Sequence, residues 1–244
     1  MSNIVWLSTE SGDQIGAGLA LGGDLIMLNR HIYDAAVEAS FDTVVIDRYH
    51  HTLGPRSWRI GKESLFGISG KKNPNAYFVP NADLCVVRAD KFLGADIRNL
   101  FAQSKLEWDA MRTRQVSVYF WEPDSEGNAH KLSMHGPARG FHEISATAPN
   151  GQRYATTNTI EYELSTYVGM CGAPVFINDP TISAKLCGIH IAGHGSRVKG
   201  YAARVTRDMI DAAFDFFRSK TIFVNSNAFI REKVRYDVFP EAIS

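Results

Sequence analysis

The chain has 244 residues, 45% hydrophobic and 21% charged, ordinary proportions for a globular core. Lysine plus arginine and aspartate plus glutamate both total 26, so the net charge is zero, which excludes strong bulk attraction to nucleic acid and leaves only a local patch for it. Three cysteines without framework spacing exclude a disulfide scaffold and predict a reducing compartment, with Cys85 and Cys187 as buried small hydrophobes and one free reactive thiol. In chain order, short apolar strands separated by Gly, Asn, Asp and Pro dominate from residue 4 to about 88. Residues 15–21, a Gly22-Gly23-Asp24 turn and 25–28 read as a hairpin whose second strand ends on His31. Further strands are expected at 43–46, 64–68, 76–79 and 84–87. Residues 89–110 are mixed and charged, with Lys91, Arg98, Lys105, Glu107 and Asp109, and read as a crossing linker. A second strand series follows at 116–121, 130–134, 139–144, 159–163, 173–177, 184–192 and 200–204. Thr206 is an expected N-cap with Asp208 in the first turn. Met209, Ile210, Ala213, Phe214 and Phe217 recur at helical spacing, so a helix is expected to pack its aromatic face on the second strand unit. Beyond Thr221 the tail holds a strand-like Ile222-Phe223-Val224 and then mixed polar sequence. No apolar run approaches the roughly 18 residues of a membrane span, and no basic-plus-apolar signal opens the chain, so no membrane insertion is expected.

The chemistry concentrates in Gly169-Met170-Cys171-Gly172-Ala173-Pro174 and Gly188-Ile189-His190-Ile191-Ala192-Gly193. A cysteine between glycines, on a tight turn before an apolar strand, suits nucleophilic acyl transfer. The reactive atom then sits beside free backbone N–H groups that can stabilise an oxyanion, here those of Met170, Cys171 and Gly172. Gly169 can take the backbone angles that aim such amides inward, and Gly172 leaves space for a scissile carbonyl. The alternative is a small buried cysteine in a Gly-rich turn. A nucleophile needs a base and a group to orient it. His31 is the candidate base, and Asp83, opening the apolar strand Leu84-Cys85-Val86-Val87, is the candidate orienting acid. Glu63, before Ser64-Leu65-Phe66, competes with Asp83, whose bland role would be a helix or turn cap. His50-His51 competes with His31 but follows Asp47-Arg48-Tyr49 in a polar turn and reads as surface. His130, His135 and His142 lack metal-ligand spacing, so neither metal nor cofactor is expected.

The order His31, Asp83, Cys171, the Gly-x-Cys-Gly-x-Pro turn and the Gly-Ile-His-Ile-Ala-Gly segment resemble the viral 3C-like cysteine proteases of picornaviruses and picorna-like viruses. The resemblance covers about residues 15 to 205 and is strongest from Thr166 to Ala203. It implies a chymotrypsin-like fold, all-β, with two six-stranded antiparallel barrels and a short C-terminal helix. The expected divisions are 1–90 (first barrel), 91–110 (linker), 111–205 (second barrel) and 206–244 (helix and tail). It also implies a cysteine endopeptidase that cuts a viral polyprotein after glutamine at P1, in the host cell cytoplasm, with Thr166 and His190 reading the P1 side chain. Gly200-Tyr201-Ala202-Ala203 matches the element closing that pocket, Tyr201 is the expected neighbour holding His190 neutral, and His190, Ile191, Ala192 and Gly193 are the expected edge for the substrate strand. The chain departs from the family at His194, where a small polar residue is usual, and in residues 206–244, which extend past the expected core. Residues 88–98 resemble an interrupted form of the family's RNA-binding motif, so Lys91 and Arg98 are candidate contacts to viral RNA. An RNA-binding regulatory domain is accordingly the alternative reading. A cellular trypsin-like protease is disfavoured by the cysteine nucleophile and the absence of a disulfide pattern.

Overall fold

The computed structural model describes residues 3–50, 54–102, 114–123, 129–147, 153–166, 169–194 and 197–232. The first half holds seven strands: β1 (Ile4–Thr9), β2 (Gln14–Gly22), β3 (Leu25–Asn29), β4 (Thr43–His50), β5 (Gly54–Gly61), β6 (Ala76–Phe78) and β7 (Leu84–Arg88). They form one antiparallel sheet in the order β5-β4-β1-β2-β3-β7-β6. The second half holds β8 (Gln115–Pro123), β9 (Ala129–Thr147), β10 (Arg153–Tyr162), β11 (Pro174–Ile177), β12 (Leu186–Gly193) and β13 (Gly200–Arg204), closed into a six-stranded barrel. The expected all-β pair of antiparallel units is therefore present, with seven strands in the first where six were expected.

Why β3 and β7 are apolar on both faces follows from the two-residue period of a strand. Ile26 and Leu28 of β3, with Cys85 and Val87 of β7, join Val5, Leu7, Val44 and Ile46 in the core of the first half. Leu25 and Met27, with Leu84 and Val86, face the other way and pack with Leu186, Ile189, Ile191 and Ala203 of the second barrel. This second cluster seals the two units together.

Four local readings change. The strand expected to end on His31 stops at Asn29, and His31 is the second residue of helix α1 (Arg30–Glu38). The strand expected at 64–68 is a single helical turn, α2 (Lys62–Phe66). It buries Leu65 and Phe66 on one side and stops at Gly67, whose φ of +80° suits glycine. The strands expected at 130–134 and 139–144 form one continuous β9. Its first part pairs β8 up to Pro137 and its second part pairs β10 from Ala138, so the apparent break is a change of partner.

The fourth change concerns the C-terminal helix α3 (Arg207–Glu232), which is longer than expected and takes in the expected strand at 222–224. Its aromatic face meets the first unit as well as the second. Ile210, Ala213 and Phe217 are buried in the shared cluster. The Arg88 guanidinium lies 5.0 Å over Phe217, Arg98 lies 4.6 Å over Phe214, and the Tyr77 ring meets Phe216 tilted, with centroids 5.2 Å apart. Among the described residues no helix is long and apolar enough to cross a membrane. The expected linker residues Lys105, Glu107 and Asp109, together with His51 and the tail from 233, lie outside the described residues.

Candidate active site

The acid turn precedes β7. Asp83 is 3% exposed, and all its polar groups are engaged. Its carbonyl accepts the Arg30 N–H (3.2 Å) and the Asn29 side-chain amide (3.5 Å). Its carboxylate accepts the His31 backbone N–H on Oδ1 at 2.9 Å. The first amides of a helix have no partner within it, so the Asp83 carboxylate acts as the missing cap of α1. That is why β3 gives way to a helix just before His31: the backbone there is held from another strand. The bland role of Asp83 and its chemical role are therefore one arrangement.

The second carboxylate oxygen accepts from His31 Nδ1 at 2.6 Å, and the same ring hydrogen-bonds the Cys171 side chain. A carboxylate only accepts, so the Nδ1 proton is fixed and Nε2 is left for the thiol. Burial alone would lower the His31 pKa. The hydrogen bonds to Asp83 and Cys171, with the electrostatic interaction of both groups with the ring, outweigh burial and raise it from 6.5 to about 9. Imidazolium is thus the resting form at neutral pH. Glu63 lies exposed on α2 and is not the carboxylate on the ring.

Cys171 stands on a turn between two glycines with positive φ, Gly169 at +103° and Gly172 at +96°. Its thiol lies 3.3 Å from the Ile191 carbonyl, and its own carbonyl accepts the Ala17 N–H from β2 at 3.2 Å. A Cβ built on Gly172 would strike the Ala17 carbonyl, so glycine is needed there for close approach as well as for φ. The nucleophile turn is docked directly on the first unit. Of the three amides expected to form an oxyanion hole, that of Gly172 donates to the His190 carbonyl at 3.0 Å, which corrects its assignment. The Cys171 amide has no backbone partner among the described residues. Gln14 of β2 donates its side-chain amide to the Gly169 carbonyl at 3.3 Å, a contact that no local feature of the sequence announces.

Beside the thiol lies a buried polar cluster. His190 is 1% exposed, and its Nδ1 pairs with the Tyr162 hydroxyl; the ring also hydrogen-bonds the Tyr201 backbone. Tyr162, not the Tyr201 side chain, is therefore the neighbour of its Nδ1. Burial, with the nearby His31 charge, lowers the His190 pKa to about 3, so this ring is neutral. Burial, with the nearby Cys171 and Cys187, raises that of Tyr162, which stays a phenol. Among the described residues, the buried Thr166 hydroxyl has no hydrogen-bond partner. It occupies space that a side chain at Gly193 would need, and Gly200 opens space in the same way against Tyr162 and Thr166. An unpaired buried hydroxyl costs about 1–3 kcal/mol, which a ligand that pairs with it would recover.

The remaining predicted residues are placed elsewhere or differently. Ile191 is buried, Ala192 half-buried and Gly193 exposed at the end of β12. Arg98 is paired with Asp96 at 2.6 Å and with Asp211 at 3.7 Å, while Lys91 is exposed with φ +69°. His135 is exposed on β9, with Nδ1 2.7 Å from the Ser117 hydroxyl. Among the described residues no cluster of His, Cys, Asp and Glu could hold a metal ion. Tyr162 was missed because Glu161-Tyr162-Glu163 carries no local signal; only its inward face on a strand beside His190 marks it.

Similarity to known proteins agrees with this geometry. Residues 145–195, which contain the nucleophile turn and β12, match the family model described as 3C cysteine protease (picornain 3C). The chain is 26% identical over 103 residues to the replicase polyprotein of Drosophila C virus (strain EB), covering 42% of this chain and 6% of that protein. It is 37% identical over 62 residues to the replicase polyprotein of acute bee paralysis virus (strain Rothamsted), covering 25% of this chain and 3% of that protein. The chain thus spans only a small part of the polyproteins it matches. Its fold is that of a catalytically inactive tobacco etch virus protease complexed with substrate, at a TM-score of 0.56 and 13% identity, covering 86% of this chain and 81% of that one. In fold over most of its length the chain resembles the tobacco etch virus protease, and in sequence around Cys171 it resembles the viral 3C cysteine proteases.

Proposed function

We propose that the chain is a cysteine endopeptidase that processes a viral polyprotein, cleaving after glutamine. The observation that carries this reading is the line of buried Asp83, buried His31 and half-buried Cys171, drawn from both units and meeting at a Gly-flanked turn. His31 holds Cys171 as a thiolate–imidazolium pair, with Asp83 fixing the ring and its charge. The thiolate attacks the P1 carbonyl carbon. The oxyanion that forms is stabilised by backbone N–H groups of the turn, that of Cys171 first among them. Collapse of the tetrahedral intermediate breaks the C–N bond, and the imidazolium gives its proton to the leaving amine. Water, deprotonated by the now neutral His31, then hydrolyses the thioester and restores the pair.

Substrate would lie along the open edge of β12. The β11 pairing ends at Ile189, and the His190 amide and carbonyl are engaged by Ala173 and Gly172, so Ile191–Gly193 is the stretch left for an added strand. For P1, a Tyr162 phenol donating to His190 Nδ1 leaves the imidazole proton on Nε2, which faces the Tyr201 backbone and would have to be shared with a ligand. The Thr166 hydroxyl is the donor left to pair with a glutamine side-chain carbonyl, with His190 Nε2–H beside it. A glutamate would bring a charge among the buried, neutral His190, Tyr162 and Thr166 side chains, which desolvate it. Three free cysteines suit a reducing compartment such as the host cytoplasm. With Arg98 held by two carboxylates, a nucleic-acid role gains no separate support.

Profiling a peptide library tests this. Glutamine at P1 is expected to dominate, because leaving buried donors unpaired can cost several orders of magnitude in kcat/KM. His190→Ala is expected to lose most of that activity while Cys171 still reacts with an alkylating reagent. A preference for basic or aromatic P1 residues would show that the cluster has been misread.

A further inference from the structure

The hydrogen bonds of Asp83 divide unequally between the two units. Its carbonyl and both carboxylate oxygens bind residues 29–31, next to it in the first unit. Its backbone N–H, in contrast, donates to the Thr156 hydroxyl of β10 at 3.3 Å, across to the second barrel. The next residue repeats the reach. Thr157 donates to the Asn81 carbonyl twice, from its backbone N–H at 3.4 Å and from its hydroxyl at 3.2 Å. Asn81 has φ +56°, a conformation that needs support in a residue other than glycine, and it starts the turn that presents Asp83.

The sheet is built to make these contacts. β9 and β10 pair at Ile144 with Thr156 and next at His142 with Thr159, so Thr157 and Asn158 oppose Glu143 alone. This is a β-bulge, which bends a strand and re-aims its side chains, commonly beside active sites. Here it turns Thr156 and Thr157 away from the ladder and onto residues 81–83. Thr156 is 1% exposed, so its hydroxyl meets the Asp83 N–H away from water.

We propose that Thr156 and Thr157 are positioning residues for the Asp83 carboxylate: the β9–β10 hairpin of the second barrel latches the turn that carries the acid of the first. This deepens the protease reading and rests on it. Without the latch the turn at 81–83 keeps its contacts to residues 29–31 but has no outer support, and the 2.6 Å contact to His31 Nδ1 loosens. Assembly of the triad would then depend on both units at each end, through Cys171 docked on Ala17 and through Asp83 held by Thr156.

Thr156→Val keeps the shape and removes the acceptor. In the full chain it is expected to lower kcat about tenfold, the worth of one aligned hydrogen bond, with KM within about twofold of wild type. It is also expected to shift or broaden the downfield proton resonance of His31 Nδ1–H, and Thr156→Ser should restore both. A purely structural role would change the folded fraction without moving the resonance of the folded protein. A folded Thr156→Val protein with wild-type kcat and an unmoved resonance would overturn the latch, as would a serine variant no better than valine. If Thr156→Val does not fold, exposed Thr157→Val carries the same comparison, with a smaller loss expected and no change counting against the proposal. If the wild type cleaves no glutamine peptide, the protease reading fails by itself, and the His31 resonance in the valine and serine variants still decides whether Thr156 positions the acid.

Discussion

Cys171→Ala is expected to abolish peptide hydrolysis, with kcat down by roughly 10⁴-fold or more, and to leave the fold in place. The methyl group fits where the sulfur was, and the sulfur's 3.3 Å contact with the Ile191 carbonyl is a weak one to give up. The turn itself is held by its backbone: Cys171 carbonyl to Ala17, Gly172 amide to His190, Ala173 amide to Met170. Thermal unfolding should therefore stay close to wild type. Cys171→Ser should retain a trace at most, because a hydroxyl beside a histidine is far less ionised than a thiol. Circular dichroism with a peptide assay checks both halves of the expectation. Activity surviving in Cys171→Ala would remove this residue from the mechanism.

The second large effect is at the acid. Asp83→Asn is expected to lower kcat by roughly 10²-fold, less than the ~10⁴ seen for the equivalent change in a serine enzyme. An amide can still face the ring, but it favours the wrong tautomer and cannot stabilise imidazolium. The loss is milder because the Cys171 thiolate supplies part of the counter-charge itself. The pH profile gives an independent reading. His31 is charged up to about pH 9, chiefly because the Asp83 and Cys171 hydrogen bonds outweigh burial, so the alkaline limb of kcat/KM should fall near there in the wild type. In Asp83→Asn the limb should move to lower pH. The sign for stability is the same: a pKa raised from 6.5 to about 9 contributes stability that is complete below 6.5 and disappears as pH climbs through 9. Glu63→Gln should change little. A large loss there, with Asp83→Asn near wild type, would reverse the assignment.

The sequence carried most of the strands and the nucleophile turn, because alternating apolar residues and turn glycines are local signals, whereas β1 and β5 were not among the expected strands. What it could not carry were features made by contacts between distant segments. β3 turns into a helix at Arg30 because Asp83, 52 residues beyond His31, caps the helix, and nothing in the apolar run before it announces that. β9 looks broken at Pro137 because it changes partner there. His190 was legible as a lone histidine on an apolar strand, whereas its partner Tyr162 sits between two glutamates. Tyr201 was the natural guess from the pocket-closing segment, yet the half of β13 it occupies pairs through its backbone with β10 and β12. Likewise Arg98 looked like a free basic residue until Asp211, on a helix more than a hundred residues later, came to lie beside it.

The most direct test of a Cys171–His31 endopeptidase is limited alkylation of the wild-type protein near neutral pH, with the modified residue mapped by mass spectrometry and residual cleavage of a glutamine peptide followed in parallel. Cys85 and Cys187 are wholly buried, and burial raises both thiols well above their usual range, so they should remain unmodified. The account predicts that one equivalent of label falls on Cys171 and that cleavage disappears in proportion to it. Cleavage that persists with Cys171 fully labelled, or that disappears while Cys171 stays free, would contradict it.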